Sequence, residues 1–296
     1  MQEIPRTTKK NPKALLVEGG GMRGAFAGGV LSAMCKLYPA SNFDILLGVS
    51  AGSCSLAYYA TEDRRNYQSH RHIPSIWKHE LHGHKFISIR NLFRGHTILN
   101  QKYLIDDLIF RKYRLNLKKL KKKIRTPFYI TVSNLKSLKP EYIRINDKNI
   151  LPILKAATSL PLATKGRFVF NNSIYSDGGI TDPLPIRALI EAGYKDITII
   201  LNHSREYFSL PLNKFLTFFS FPFHSNIRHY LRNEHHLKYN DAKSLLLNPP
   251  SDVRLQIMDP SESIPVKITS TVQKDIVALF DHGMEIAEKF FKKRIE

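Results

Sequence analysis

Lys13-Ala14-Leu15-Leu16-Val17-Glu18 runs directly into Gly19-Gly20-Gly21-Met22-Arg23-Gly24, and Phe43-Asp44-Ile45-Leu46-Leu47 runs directly into Gly48-Val49-Ser50-Ala51-Gly52. Each apolar run is short and unbroken, the pattern of a strand buried on both faces. Ala25 to Tyr38 follows the first loop as a helix closed by Pro39, and Ala51 to Thr61 follows the second turn as another. The order strand, loop, helix, strand, tight turn, helix predicts an α/β fold: a parallel sheet with helices on both faces.

Working outward, Phe128 to Ser133, Glu141 to Ile145 and Asp196 to Leu201 read as further strands. Asn149 to Thr158, Leu184 to Ala192 and Thr271 to Lys293 read as helices. Phe168 to Tyr175, broken by Asn171-Asn172, reads as a hairpin or a tight turn. There is no internal repeat and no low-complexity linker. The expectation is one α/β domain over residues 1–296. Its motif-bearing core spans about 13–201, with a helical insert at about 63–125 and a C-terminal helical region at about 205–296.

A hydrophobic fraction of 43% is ordinary for a chain with a real core. Two cysteines, Cys35 and Cys54, are too few for a disulfide framework and fit a reduced compartment. Met1 to Lys13 is polar and basic, with no apolar signal region, and no apolar run approaches the ~20 residues of a spanning helix. These features predict a cytoplasmic protein. The net charge of +20 is partly local, because residues 111 to 125 carry nine basic side chains and no acidic one. Such a surface suits an anionic partner, and no nucleic-acid-binding motif surrounds it. Peripheral contact with an acidic membrane is therefore the expected association, against the plainer reading of a solvated helix face.

Gly48-Val49-Ser50-Ala51-Gly52 is a weak motif by spelling alone, but its place between a strand and a helix is the setting of a nucleophile elbow. The turn would push the Ser50 hydroxyl out at a helix N-terminus, where the dipole favours developing negative charge. The glycine loop one βα unit upstream could present backbone N–H groups without obstruction. Gly19-x-Gly21-x-x-Gly24 also matches a dinucleotide fingerprint, yet the following strand ends in the serine turn rather than in an acidic ribose contact. An oxyanion hole paired with a nucleophile explains both loops together. Loss of one such donor typically costs ~3–4 kcal/mol of transition-state stabilisation.

These residues resemble the patatin-like phospholipase family. The resemblance rests on Gly19-Gly20-Gly21-Met22-Arg23-Gly24 and on Gly48-Val49-Ser50-Ala51-Gly52. It also rests on Ala157-Thr158-Ser159-Leu160-Pro161, an imperfect match, and on Tyr175-Ser176-Asp177-Gly178-Gly179 with Thr181-Asp182-Pro183-Leu184-Pro185. Four motifs in the right order span residues 13 to about 201. The resemblance implies a three-layer α/β/α sandwich and a Ser-Asp dyad, with Ser50 as nucleophile and Asp177 as base. It implies oxyanion or substrate contacts from Gly19, Gly20, Gly21, Met22, Arg23, Gly24 and Ala51. It implies a phospholipid or other acyl-lipid substrate, and neither a metal nor an organic cofactor.

The dyad also has a physical rationale. A free Asp is a weak base with a pKa of ~3.9, and burial would raise it. An alkoxide is a better leaving group than an amine, so lipid esters suit a two-residue machine better than peptides do. The mechanistic rival is a Ser-His-Asp triad, for which His203 at a strand end is the best-placed histidine. Two functional alternatives stand beside the phospholipase reading. One is an esterase or thioesterase on smaller acyl groups, and the other a basic membrane-binding module with a vestigial site.

Two further segments carry open readings. His70, His72, His79, His82 and His84 crowd one stretch, but His79-Glu80-Leu81-His82 lacks the metalloprotease spacing. Residues 212–223 hold Phe215, Phe218, Phe219, Phe221 and Phe223. An aromatic cluster of this kind is ordinarily core. The alternative is a lid or a helix that dips into a membrane, supported by the Lys118–Lys123 run.

Overall fold

The first strand shows why the chain builds layers. In β1 (Lys13–Val17), Leu15 and Val17 enter one buried cluster while Ala14 and Leu16 enter another. A strand that is apolar on both faces must be covered on both. The computed structural model describes residues 2–62, 68–94, 97–121, 126–260 and 265–292.

After β1 come α1 (Ala25–Leu37), β2 (Ile45–Val49), α2 (Ser50–Ala60), α3 (Gln68–Ser75) and α4 (Leu117–Lys121). The middle of the chain forms β3 (Phe128–Asn134), β4 (Lys139–Arg144), α5 (Ile150–Ala157), β5 (Phe168–Phe170) and β6 (Ser173–Asp177). Then follow α6 (Ile186–Glu191), β7 (Asp196–Ile200), α7 (Lys214–Ser220), α8 (Ser225–Asn233) and α9 (His235–Leu247). Last are β8 (Arg254–Met258) and α10 (Gln273–Lys292).

The strands join in the order β5-β6-β3-β2-β1-β7-β8, with β4 also paired to β3. The pairs β1–β2, β1–β7, β2–β3 and β7–β8 are parallel. Helices α1, α2, α5 and α10 cover one face, contributing Phe26, Leu56, Ile153 and Phe280 to its core. Helices α6 and α9 cover the other with Ile186, Leu189, Tyr239 and Leu246. The architecture is a three-layer α/β/α fold with a mostly parallel sheet. Helices α1 and α10 cross where Gly29 and Gly283 sit, since a Cβ at either would overlap a carbonyl oxygen of the other helix.

The expected elements appear with small shifts at their ends. Asn171 and Asn172 join β5 to β6 with φ of 46° and 60°, the left-handed pair that a two-residue hairpin demands. Two expectations need correction, and a third needs a detail added. The C-terminal region is not wholly helical, because β8 adds a parallel strand beside β7. Its sequence, Arg254-Leu255-Gln256-Ile257-Met258, is half-exposed at the sheet edge and so carries little apolar signal. The insert is helical but irregular, with Pro74 inside α3 and π-helical turns at Ile76–Glu80 and Tyr103–Lys112. The phenylalanine-rich segment is not core: Phe215, Phe218, Phe219 and Phe223 are exposed, and only Phe221 is buried.

Among the described residues, no helix is long and apolar enough to cross a membrane. Within the basic run, Leu120 of α4 is buried while Lys118 and Lys121 face solvent. Lys122, Lys123 and Arg125 lie outside the described residues.

Candidate active site

Sheet register brings two distant motifs together. Strand β2 pairs with β3 up to Val49 opposite Thr131. Strand β6 runs antiparallel to β3 and ends at Asp177 opposite Val132. Strand β4 pairs with β3 through both stretches and so fills its other edge. β2 and β6 therefore meet end to end along a single edge of β3. Ser50, one residue beyond β2, faces Asp177, the last residue of β6. Ser50 Oγ donates a 2.5 Å hydrogen bond to Asp177 Oδ2.

The turn at Ser50 is tight. Its φ is 49°, a left-handed conformation that costs a non-glycine residue of order 1–3 kcal/mol and persists only where the surroundings enforce it. Gly52 lets the chain pass close to β1 just after this turn, because a Cβ there would overlap the Glu18 carbonyl at the strand's end. Helix α2 thus starts against the neighbouring strand, with Ser50 at its first position.

Asp177 is buried, and both its carboxylate oxygens are engaged. Oδ1 accepts the Gly179 N–H at 2.8 Å while Oδ2 accepts from Ser50. Burial pushes its pKa up to about 7, against the opposing effect of the two hydrogen bonds. The backbone around it is held as well. Asp177 N–H donates to Ser159 O at 3.2 Å, Ser176 Oγ donates to the same oxygen at 2.8 Å, and Ser133 Oγ donates to Asp177 O at 2.7 Å. The Ala157–Pro161 block thereby supports the aspartate.

The glycine loop lies against the serine. A Cβ on Gly19 would fall 2.9 Å from Ser50 Cβ. Gly21 has φ of 57° and sits beneath Ile268, whose carbonyl accepts the Met22 N–H at 3.0 Å. The Arg23 N–H donates to Gly20 O at 3.2 Å. The Gly19, Gly20 and Gly21 N–H groups take no carbonyl partner among the described residues, and Gly20 and Gly21 are the pair expected as oxyanion donors. Gly24 packs on Ala51 and Trp77 instead of opening toward a ligand. A pyrophosphate would have to approach where Ser50 and Ile268 already stand, which disfavours the dinucleotide reading.

Behind the loop is a buried network that sequence reasoning missed. Glu18 Oε2 accepts the Asn202 N–H at 2.6 Å and Oε1 accepts from the Tyr239 hydroxyl at 2.7 Å. Asn202 Nδ2 in turn donates to Glu18 O at 2.7 Å and Gly19 O at 3.2 Å. Burial pushes the Glu18 pKa up, but His203, Lys243 and Tyr239 outweigh it and hold the group below its ordinary value. His203 belongs to this network. Its ring stacks on Tyr207 at 4.4 Å and its Nδ1 lies 3.8 Å from Glu18 Oε2. The structure does not join it to Ser50 and Asp177.

An apolar pocket opens from Ser50, with about 790 Å³ of empty space when its open mouth is included. Cys54, Trp77, Phe86, Leu104, Ile109 and Leu160 are among its walls. Much of that lining comes from the insert, which Trp77 locks to the core by donating to Ser55 Oγ at 3.0 Å. The histidines at the start of the insert are used in packing: His70 Nδ1 lies 3.0 Å from Ser32 O, and His72 sits edge-on between Tyr58 and Tyr113. Among the described residues no three His, Cys, Asp or Glu side chains converge.

A family model described as patatin-like phospholipase matches residues 15–190, and one described as a domain of unknown function (DUF6363) matches residues 228–296. The uncharacterized protein YjjU of Escherichia coli (strain K12) is 23% identical over 257 residues, covering 82% of this chain and 66% of that protein. The chain thus spans just under two thirds of that curated relative. The crystal structure of VipD from Legionella pneumophila aligns with a TM-score of 0.47 at 13% identity, over 98% of this chain and 70% of that one. The first family model takes in the glycine loop, the serine turn and Asp177, well over half the chain, and the chain belongs to the patatin-like phospholipase family.

Proposed function

We propose that this protein is a serine lipid acyl hydrolase that releases fatty acid from phospholipids or related lipids at an anionic membrane surface. Ser50 is the nucleophile and Asp177 the proton carrier. The observation that carries the reading is the 2.5 Å bond between a strained serine and a buried carboxylate raised to about 7. A base of that strength matches a task near neutral pH.

In the first step Ser50 Oγ attacks the ester carbonyl carbon while its proton passes to Asp177. The Gly20 and Gly21 N–H groups, with the N-terminus of α2 at Ala51, are the donors for the oxyanion. Collapse breaks the ester bond, and Asp177 returns the proton to the departing alkoxide. Water then attacks the acyl-enzyme with Asp177 again taking a proton, which it gives back to Ser50 as the fatty acid leaves. The apolar pocket at Ser50 favours a long acyl chain over a small acyl group, since it would exclude water from the chain along its length.

A fluorophosphonate probe tests the nucleophile. The chain should label, and Ser50→Ala should not. Fatty-acid release from mixed phospholipids tests the substrate class. An unlabelled wild-type chain that releases no fatty acid would overturn the reading.

A further inference from the structure

Residues 207–233 contain Lys214, Arg228 and Arg232, with His224 and His229, and neither Asp nor Glu. Within this acid-free stretch Leu210, Phe215, Phe218, Phe219 and Phe223 face solvent, Phe223 almost completely at 93%. The crest is held in place. Asn213 caps α7 by accepting the Phe215 N–H at 2.8 Å, and the Arg228 guanidinium lies 5.5 Å over the Phe218 ring. Arg228 Nη1 donates to Phe221 O at 2.8 Å. The inner side is a small core of Phe221, Ile227, Tyr230 and Leu231 on Ile180. A fixed row of outward phenylalanines is not an ordinary soluble surface.

We infer that this crest is a docking surface for a bilayer containing anionic lipid. Phenylalanine flanked by cationic side chains is the composition that seats at the headgroup–acyl boundary. Lys214, Arg228 and Arg232 favour an anionic partner, the nearest acids in sequence being Glu206 and Glu234 at the two ends of the stretch. A second copy of the same face would bring like charges together, in a chain whose net charge is already +20. The crest is also mounted next to the candidate site. Ile180 follows Asp177-Gly178-Gly179 directly, the Tyr230 hydroxyl donates to Thr181 O at 3.3 Å, and His235 Nε2 donates to Gly179 O at 2.9 Å. Helix α7 packs on α8, and α8 leans on the turn that follows Asp177. The biological purpose of the contact rests on the hydrolase reading, but the contact itself does not.

The test is co-sedimentation of the Ser50→Ala chain with phosphatidylcholine vesicles, with and without phosphatidylglycerol. Binding should need phosphatidylglycerol and weaken with salt. Phe215→Ser/Phe219→Ser/Phe223→Ser should lose about tenfold or more in vesicle affinity, and Lys214→Gln should weaken it by less. The triple variant, made with Ser50 intact, should still hydrolyse a soluble short-chain ester, which certifies its fold. Unchanged vesicle affinity in the triple variant would overturn the inference. So would a parent dimer that the triple variant dissolves, which would assign the crest to a second copy. Absent hydrolysis with intact vesicle binding would count against the hydrolase alone.

Discussion

Ser50 Oγ and Asp177 Oδ2 are 2.5 Å apart although the two residues are 127 positions apart in sequence. The other carboxylate oxygen is held by Gly179, so the aspartate has one free task, toward the serine. Ser50→Ala and Asp177→Asn should each lower kcat for ester hydrolysis by about a thousandfold or more. His203→Ala should keep much of the activity, because His203 packs on Tyr207 and Glu18 instead. Steady-state kinetics on a soluble ester read all three. Substantial turnover by Asp177→Asn would refute the dyad.

The raised pKa of Asp177 has two consequences of opposite sign. The proposed base must be ionised to act, so kcat/KM should rise with pH through about 7 and then level off. Stability should move the other way. The folded value, about 7, lies above the unfolded one, so the contribution is full below the unfolded value and is lost as pH climbs through 7. Asp177→Asn cannot ionise and escapes that loss. Relative to the parent, its Tm should be higher at about pH 8 than at about pH 4, by at least about 2 °C. Asp182, buried and raised to about 6, behaves alike in both chains and cancels. An identical Tm difference at both pH values would contradict the shift.

Cys54 lies one helical turn beyond Ser50, in the pocket wall. Cys54→Phe should fill the space next to Ser50. Turnover of an acetyl ester should survive, while a long-chain ester should lose about tenfold or more in kcat/KM, since each excluded methylene forfeits ~0.8 kcal/mol. A parallel drop for both chain lengths would mean that the pocket does not hold the acyl group.

Tyr239 and Glu18 couple the C-terminal third of the chain to the glycine loop. The Tyr239 hydroxyl donates to a fully buried carboxylate at 2.7 Å. Tyr239→Phe leaves that acceptor short of a partner and should cost about 1–3 kcal/mol in urea unfolding. An effect within error would show that the bond is exchanged for water at no loss.

The layers and the local turns were legible in the sequence because they depend on neighbours a few residues away. Ala14 to Val17 are apolar at every position, so the strand must be covered twice. Gly52 is small because α2 starts against β1, and Asn171-Asn172 is the pair that a left-handed hairpin accepts. The motifs themselves also pointed to Ser50 and Asp177. Their juxtaposition was decided only by the tertiary structure, where β2 and β6 end at adjacent residues of one β3 edge, Thr131 and Val132. Strand register is a property of pairs of segments, and no single segment encodes it. For the same reason β8 was missed, being a half-exposed edge strand specified by its partner β7. The phenylalanines of 215–223 show the converse limit. Their composition matches a core as well as it matches a surface, and only packing of α8 on Ile180 turned them outward.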